Sequence, residues 1–264
     1  MDLSENNSLP DVQDSVDQRA LLIQRVGIKR LRHPIAWQAK HGIQHTVGEF
    51  SFAVHLPAEQ KGTHMSRFVA LLQEQLHPWT AAQANNISQI ACHLLNAPRA
   101  FLELQFPLFI EKTAPASGVK SLMDYQVLLS SEATLEKKTV QVQLQIPVTS
   151  LCPCSKTVSA YGAHNQRSHV IVHAQLADDV WLEDIIAAVE KQASSELYGL
   201  LKRVDEKVVT ERAYDNPKFV EDLVRDVAIA VRKLPGLSNI QIDAENFESI
   251  HNHSAFASLR LDRE

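Results

Sequence analysis

Residues 139–148, TVQVQLQIPV, carry the clearest pattern in the sequence. Valine, leucine and isoleucine recur at every second position, and Gln141, Gln143 and Gln145 lie between them. Successive side chains of a β-strand point to opposite faces, so this alternation predicts a strand with one buried and one solvated face. Strands of this kind are typical of antiparallel sheets that are covered on one side only.

Outward from this strand, the same alternation predicts further strands, and apolar residues at helical spacing predict helices. The predicted elements before it are strands over 28–37, 49–56, 101–110 and 122–130, with helices over 65–76 and 84–94 in their middle. The predicted elements after it are strands over 168–176, 239–247 and 255–261, with helices over 181–200 and 217–234. The order ββααββ therefore occurs twice. It predicts an α+β fold of two tandem units, with antiparallel sheets that carry their helices on one face.

Composition sets the limits of these units. Residues 1–24 are rich in Asp, Ser, Asn and Gln and are predicted to form a flexible arm. The first ββααββ unit is predicted over 25–134 and the second over 135–264, joined near residues 132–137. We expect the second unit to carry the chemistry, because the most unusual loop in the chain lies there.

Charge and hydropathy exclude several classes of protein. The formal net charge of −5 argues against a broad basic surface for nucleic acid. No apolar run approaches the roughly 18 residues of a membrane span. The acidic start lacks the pattern of a secretory signal, and three cysteines are too few for a disulfide scaffold. We therefore expect a cytoplasmic protein with reduced thiols.

The loop LCPCSKTVSAYGAHNQRS, residues 151–168, is much longer than a hairpin connection needs to be. Cys152, Cys154 and His164 lie in it, and thiolate and imidazole are ligands for zinc and similar divalent ions. A reactive thiolate could equally act as a nucleophile, and the spacing alone does not choose between these roles. In both readings the loop is a candidate functional site.

Basic residues cluster at the start of the predicted helix near residue 65. The stretch KGTHMSRF places Lys61, His64 and Arg67 there, and helix N-termini with basic side chains favour phosphate. Lys112 and Lys120 could contribute to the same site.

Four further residues could take part in a site. His251 and His253 are two residues apart, so they point to the same side of an extended chain and could both face a ligand. Glu206 and Glu221 would, from the pattern alone, be ordinary solvated carboxylates.

Several motifs occur together in a familiar order: KGTHMSRF, then LCPCSK followed by SAYGAHNQRSH, then ENFESIHNHSAF. With them, the chain from about residue 26 to 261 closely resembles GTP cyclohydrolase I of type IB. The resemblance implies the tunnelling fold, with two ββααββ units in each subunit and subunits assembled into tetramers around barrels. It also implies conversion of GTP and water to 7,8-dihydroneopterin triphosphate and formate. The product would enter folate or queuosine-type biosynthesis.

The resemblance also implies roles for individual residues. Cys152, His164 and Glu206 match the ligands of one divalent metal ion, which could be zinc, manganese or iron. Glu221 matches the carboxylate that holds guanine, and His251 matches an active-site histidine that moves protons, with His253 as its neighbour. Cys152 thus counts among both the metal ligands and the catalytic residues. The candidates for the triphosphate are Lys61, His64, Arg67 and Lys112. The expected partners are GTP as substrate and further copies of the chain, and neither nucleic acid nor membrane is expected.

Two other functions fit parts of the same pattern. A nitrile reductase of the queuosine route shares the fold and would use Cys152 as covalent nucleophile with NADPH, but its signature sequence is absent here. A non-catalytic purine-phosphate binding protein would use zinc structurally, with Cys154 as the fourth ligand and unfolding on chelation.

Overall fold

The computed structural model describes residues 13, 15–75, 77–177 and 180–261. The elements of the first half are β1 (Ile23–Ala39), β2 (Gly42–Leu56), α1 (Met65–Gln73), α2 (Ala81–Leu94), β3 (Ala100–Thr113) and β4 (Lys120–Ala133). Those of the second half are β5 (Lys138–Leu151), α3 (Pro153–Val158), β6 (Asn165–Leu176), α4 (Leu182–Glu190), β7 (Ser195–Glu196), α5 (Arg203–Asp215), α6 (Val220–Val231), β8 (Leu237–Asn246) and β9 (Ala255–Arg260).

The strands form one antiparallel sheet that runs through both halves of the chain. Its order is β1-β2-β3-β4-β5-β6-β8-β9, and the short β7 pairs with β5. The two halves share this sheet because β4 pairs with β5 across the turn that follows Ala133. The predicted α+β class and antiparallel pairing are confirmed.

The core lies between the sheet and the helices. Along β5 the valines, leucine and isoleucine of the 139–148 pattern are buried, and the glutamines between them are more exposed. Helix α2 packs on β3, β4 and β5, and helix α6 packs on β8 and β9. The apolar stripe of each helix therefore covers the apolar face of the strands, which leaves the other face polar.

Two helices differ from their prediction. The helix predicted over 181–200 ends at Glu190, and the chain then pairs with β5 through Ser195 and Glu196. Further along, Gly199 passes so close to β4 that a Cβ atom there would lie 2.6 Å from the carbonyl oxygen of Leu122. Helix α5 was not predicted, since only Asp205 and Ala213 of its residues are buried and it has no apolar stripe to read.

The first half also departs from the prediction. Helix α1 ends at Gln73, three residues before the predicted end at residue 76, and Leu76 lies outside the described residues. Strand β1 accommodates Pro34 because β1 is an edge of the sheet, where a missing N–H is tolerated.

Part of the predicted N-terminal arm, residues 1–12 and 14, lies outside the described residues. The Lys61 N–H donates to the Ser15 carbonyl, and the Asp17 N–H donates to the Glu59 carbonyl. Within the described part of the chain, no helix combines the length and apolarity needed to cross a membrane.

The antiparallel sheet has two ends that matter for function. The β3–β4, β5–β6 and β8–β9 connections lie at one end, which we call the cysteine end because it contains Cys152. The β2–α1 and β4–β5 connections lie at the opposite end.

Candidate active site

Cys152 and His164 stand at the two ends of the loop between β5 and β6. The backbone N–H of Cys152 donates to the carbonyl oxygen of His164 at 3.2 Å. Ser155 fixes both residues, because its hydroxyl donates to the Cys152 carbonyl at 3.1 Å and accepts from the His164 N–H at 3.2 Å. Cys152 also caps helix α3, and its Sγ accepts from the Ser155 N–H at 3.5 Å. The loop thus brings the backbones of Cys152 and His164 together at the ends of β5 and β6.

The imidazole of His164 is held on one side by two neighbours. Its Nδ1 lies 3.0 Å from Oε1 of Gln166 and 3.3 Å from Oγ of Ser249. Ser249 belongs to the β8–β9 connection, so this contact lays that connection against the cysteine loop. The other ring nitrogen, Nε2, is the one available to a ligand.

His251 and His253 lie in the same β8–β9 connection, just after Ser249. Their rings stack with centroids 5.1 Å apart, and both side chains are exposed. The predicted pair therefore does share one side of the chain. The structure brings the segment that carries it next to His164.

Glu221 is also at the cysteine end. It is exposed in the first turn of α6, and the chain just before that helix is attached to the loop, since the Lys218 N–H donates to the Leu151 carbonyl at 3.0 Å. Leu151 directly precedes Cys152. The start of α6 thus lies beside the candidate metal loop.

Glu206 is placed differently. It is exposed in the first turn of α5. Helix α5 contacts α3 through its last turn, where Nζ of Lys156 donates to the Tyr214 carbonyl. The helix rise separates Glu206 from Tyr214 by roughly 12 Å along the axis. Thiol, imidazole and carboxylate are suitable metal ligands, and Cys152 and His164 fit that purpose. However, no group of three His, Cys, Asp or Glu side chains in the described ranges is close enough to hold an ion.

Asp205, beside Glu206, is a residue that the sequence pattern does not single out. It is fully buried and accepts from the backbone N–H groups of Ala116, Ser117 and Lys202 at 2.8, 2.8 and 2.9 Å. The Ser117 hydroxyl adds a contact of 2.6 Å. Burial raises the pKa of Asp205, but these hydrogen bonds outweigh it and hold the pKa well below its usual range. Asp205 thereby fixes the start of α5, and with it Glu206, to the β3–β4 turn.

The predicted phosphate residues lie at the opposite end of the sheet. His64 occupies the N-cap position of α1 without a side-chain capping hydrogen bond, Lys61 precedes it, and the Arg67 guanidinium donates to the Leu94 carbonyl at 3.2 Å. Strand β5, which starts at that end and finishes at Leu151, separates them from Cys152 by on the order of 40 Å. A single chain does not bring these basic residues to the cysteine loop.

Lys112 is buried in an ionic cluster. Its Nζ lies 2.5 Å from Oε2 of Glu190 and 2.6 Å from Oε2 of Glu196, and the Tyr125 hydroxyl donates to Glu190 at 2.7 Å. Burial lowers the pKa of Lys112, but the two carboxylates outweigh it and raise the pKa. Burial raises the pKa of Glu190, and the ammonium only partly offsets it. The amine is therefore charged and already paired.

Sequence comparison identifies the family. The model of the type I GTP cyclohydrolase FolE2 family matches residues 9–257. The chain belongs to this family. A protein named GTP cyclohydrolase FolE2 from Herminiimonas arsenicoxydans is 54% identical over 257 residues, covering 97% of this chain and 98% of that protein. One of the same name from Ralstonia nicotianae is 52% identical over 262 residues, covering 99% and 98%.

Comparison with solved structures concerns the fold alone. Uricase from Arthrobacter globiformis superposes on this FolE2-family chain with a TM-score of 0.55 at 9% sequence identity, covering 91% of this chain and 93% of the uricase. The expected tunnelling fold is therefore confirmed.

Proposed function

We propose that this chain is a GTP cyclohydrolase that opens the imidazole ring of the guanine, releases formate and closes a new ring to give 7,8-dihydroneopterin triphosphate. The observation that carries the proposal is the pairing of Cys152 with His164 at the base of one loop, with the histidine-bearing β8–β9 connection laid against it. Membership of the FolE2 family supports the substrate.

Cys152 and His164 are the ligands we propose for one divalent metal ion. Glu206 is proposed as the third, and its carboxylate would have to move towards the loop, since no three such side chains of the described residues enclose an ion. A bound divalent ion lowers the pKa of water and so makes hydroxide available near neutral pH. Sulfur, nitrogen and oxygen donors suit zinc, manganese and iron, so a metal panel should include all three.

The remaining roles are carried by side chains of the cysteine end. His251 is proposed to take and return protons during ring opening and closure, with His253 stacked on it. The carboxylate of Glu221 would accept hydrogen bonds from the ring N–H and exocyclic amine of guanine. Adenine offers no such pair of donors, so ATP should be rejected.

The triphosphate is proposed to reach the basic residues of a second copy of the chain. Lys61, His64 and Arg67 are too far from Cys152 in one chain to hold the same nucleotide, so the complete site needs two copies. The proposed assembly is a homotetramer. Lys112 is left out of the phosphate site because its ammonium faces two glutamates.

The central experiment is incubation of the purified protein with GTP and each metal, with and without EDTA. We expect formate release and pterin fluorescence that require the metal. Cys152→Ala should fold and be inactive, and Thr157→Ala in the same loop should stay active as its matched control. Metal-free turnover with NADPH would favour the reductase. Unfolding on chelation, together with loss of fold in Cys154→Ala, would favour a structural zinc site.

The two-copy site has its own test. Cys152→Ala and Arg67→Ala should each be inactive as pure proteins, and co-assembled hybrids should regain activity, because one intact site can form from two different defective chains. Hybrids that remain inactive would contradict the sharing of the site between copies. Arg67→Ala with unchanged KM for GTP would remove Arg67 from the phosphate site.

A further inference from the structure

A continuous row of polar side chains lies in the core beneath the cysteine loop. Asn246, Ser168, Ser150 and Gln166 occupy core-facing positions of β8, β6 and β5, and each is at most 9% exposed. Strand register places them in line, since Ser150 pairs with Gln166 and Ser168 pairs with Asn246. Buried polar groups are costly unless they are hydrogen-bonded, so the directions of these bonds are informative.

The hydrogen bonds of the row all donate in one direction, from Gln166 towards Asn246. The Ser168 hydroxyl donates to Oδ1 of Asn246 at 2.7 Å, which uses its only proton. In the 2.7 Å contact between the two serines, Ser150 must then be the donor. Ser150 has no proton left for Gln166, so it accepts from Nε2 of Gln166 at 3.3 Å.

A second contact fixes the same orientation of the Gln166 amide independently. Oε1 of Glu248 lies 3.5 Å from Nε2 of Gln166. An ionised carboxylate can only accept, so the nitrogen of the amide must face it. Both contacts turn the amide oxygen, Oε1, towards His164.

We propose that Gln166 is a positioning residue that holds His164 in its Nδ1–H tautomer. Oε1 of Gln166 is 3.0 Å from Nδ1 of His164 and can only accept, so Nδ1 must carry the proton. The lone pair is then on Nε2, directed away from the row. This inference deepens the proposed function, because only a nitrogen with a free lone pair can bind a metal ion.

The tautomer can be observed directly in the metal-free protein. We expect ¹⁵N NMR of histidine-labelled protein in alkaline solution to show a protonated Nδ1 and an unprotonated Nε2 for His164, assigned with His164→Ala. Gln166→Met should lose this preference, and Gln166→Glu should keep it, since a carboxylate also accepts from Nδ1–H. Gln175→Met is the matched control, because it removes an amide hydrogen bond on the same strand but far from His164.

Metal affinity supplies the second readout. Zinc binding, measured by competition with a chromophoric chelator, should weaken by about 10-fold to 100-fold in Gln166→Met and stay unchanged in Gln175→Met. Circular dichroism should show that all variants are folded.

The two proposals fail in different ways. A wild-type His164 with its proton on Nε2, or a tautomer unaffected by Gln166→Met, would overturn the role of Gln166 even if GTP is turned over. The expected tautomer in a protein that neither binds zinc nor uses GTP would support the role of Gln166 and overturn the proposed function.

Discussion

Substitution of Lys112 tests how much its buried ion pairs contribute to the stability of the fold. Its side chain is 9% exposed, and its partners Glu190 and Glu196 are 7% and 29% exposed. Lys112→Met would leave two neighbouring carboxylates without their cation. Removal of one partner from a buried ion pair costs about 3–5 kcal/mol. Because Tyr125 still donates to Glu190, we expect the lower part of that range, about 3 kcal/mol.

The loss of unfolding free energy in Lys112→Met should depend on pH, and the direction of that dependence follows from the pKa of Glu190. The pKa of Glu190 is already raised by burial, and removal of the ammonium should raise it further. A carboxyl group with a raised folded-state pKa binds its proton more tightly in the folded protein than in the unfolded chain. The destabilisation is therefore complete above the folded-state pKa and decreases as the pH falls towards the ordinary value of 4.5.

The assay is urea unfolding followed by circular dichroism, at one fixed protein concentration because assembly contributes to apparent stability. Lys120→Met is the matched control, since Lys120 pairs with Glu111 on the surface, where an ion pair contributes little to stability. A Lys112→Met protein as stable as the control at neutral pH, or a loss that grows on acidification, would refute the reasoning.

Four further results are expected. Cys92 is buried, and burial raises the pKa of its thiol, so it should react with a thiol reagent only after unfolding, whereas the other two cysteines react in the folded protein. Leu144→Ala should lower the free energy of unfolding by about 3 kcal/mol, while Gln143→Ala on the other face of β5 should change it by less than about 0.5 kcal/mol. Asp205→Ala should increase amide hydrogen exchange in the β3–β4 turn before exchange rises elsewhere, and uniform exchange would contradict its role as a local clamp. Glu221→Gln should lower kcat/KM for GTP by about 100-fold with zinc affinity unchanged, and an equal loss of both would show that Glu221 acts on the metal site instead.

Local patterns were sufficient for most of the sheet. The strands around residues 139–148 were predictable because alternation with period two depends only on neighbouring side chains. Helix α5 was not predictable in this way, since it is held by the buried Asp205 and by contacts at its ends rather than by an apolar stripe. Polar residues at core-facing positions, such as Gln166 and Ser168, were the available signal for the buried row.

The sequence by itself determined the class of fold, the family and the loop that carries Cys152 and His164, because these depend on periodicity and on motifs of adjacent residues. Tertiary structure decided which candidates lie together. It placed His164 in contact with Ser249, and it paired the ammonium of Lys112, a candidate for binding phosphate, with the carboxylate of Glu190. Those outcomes follow from strand register, which brings side chains distant in the sequence within hydrogen-bonding distance. Burial then decides whether a charge or an amide is free to act on a ligand or is held by the protein itself.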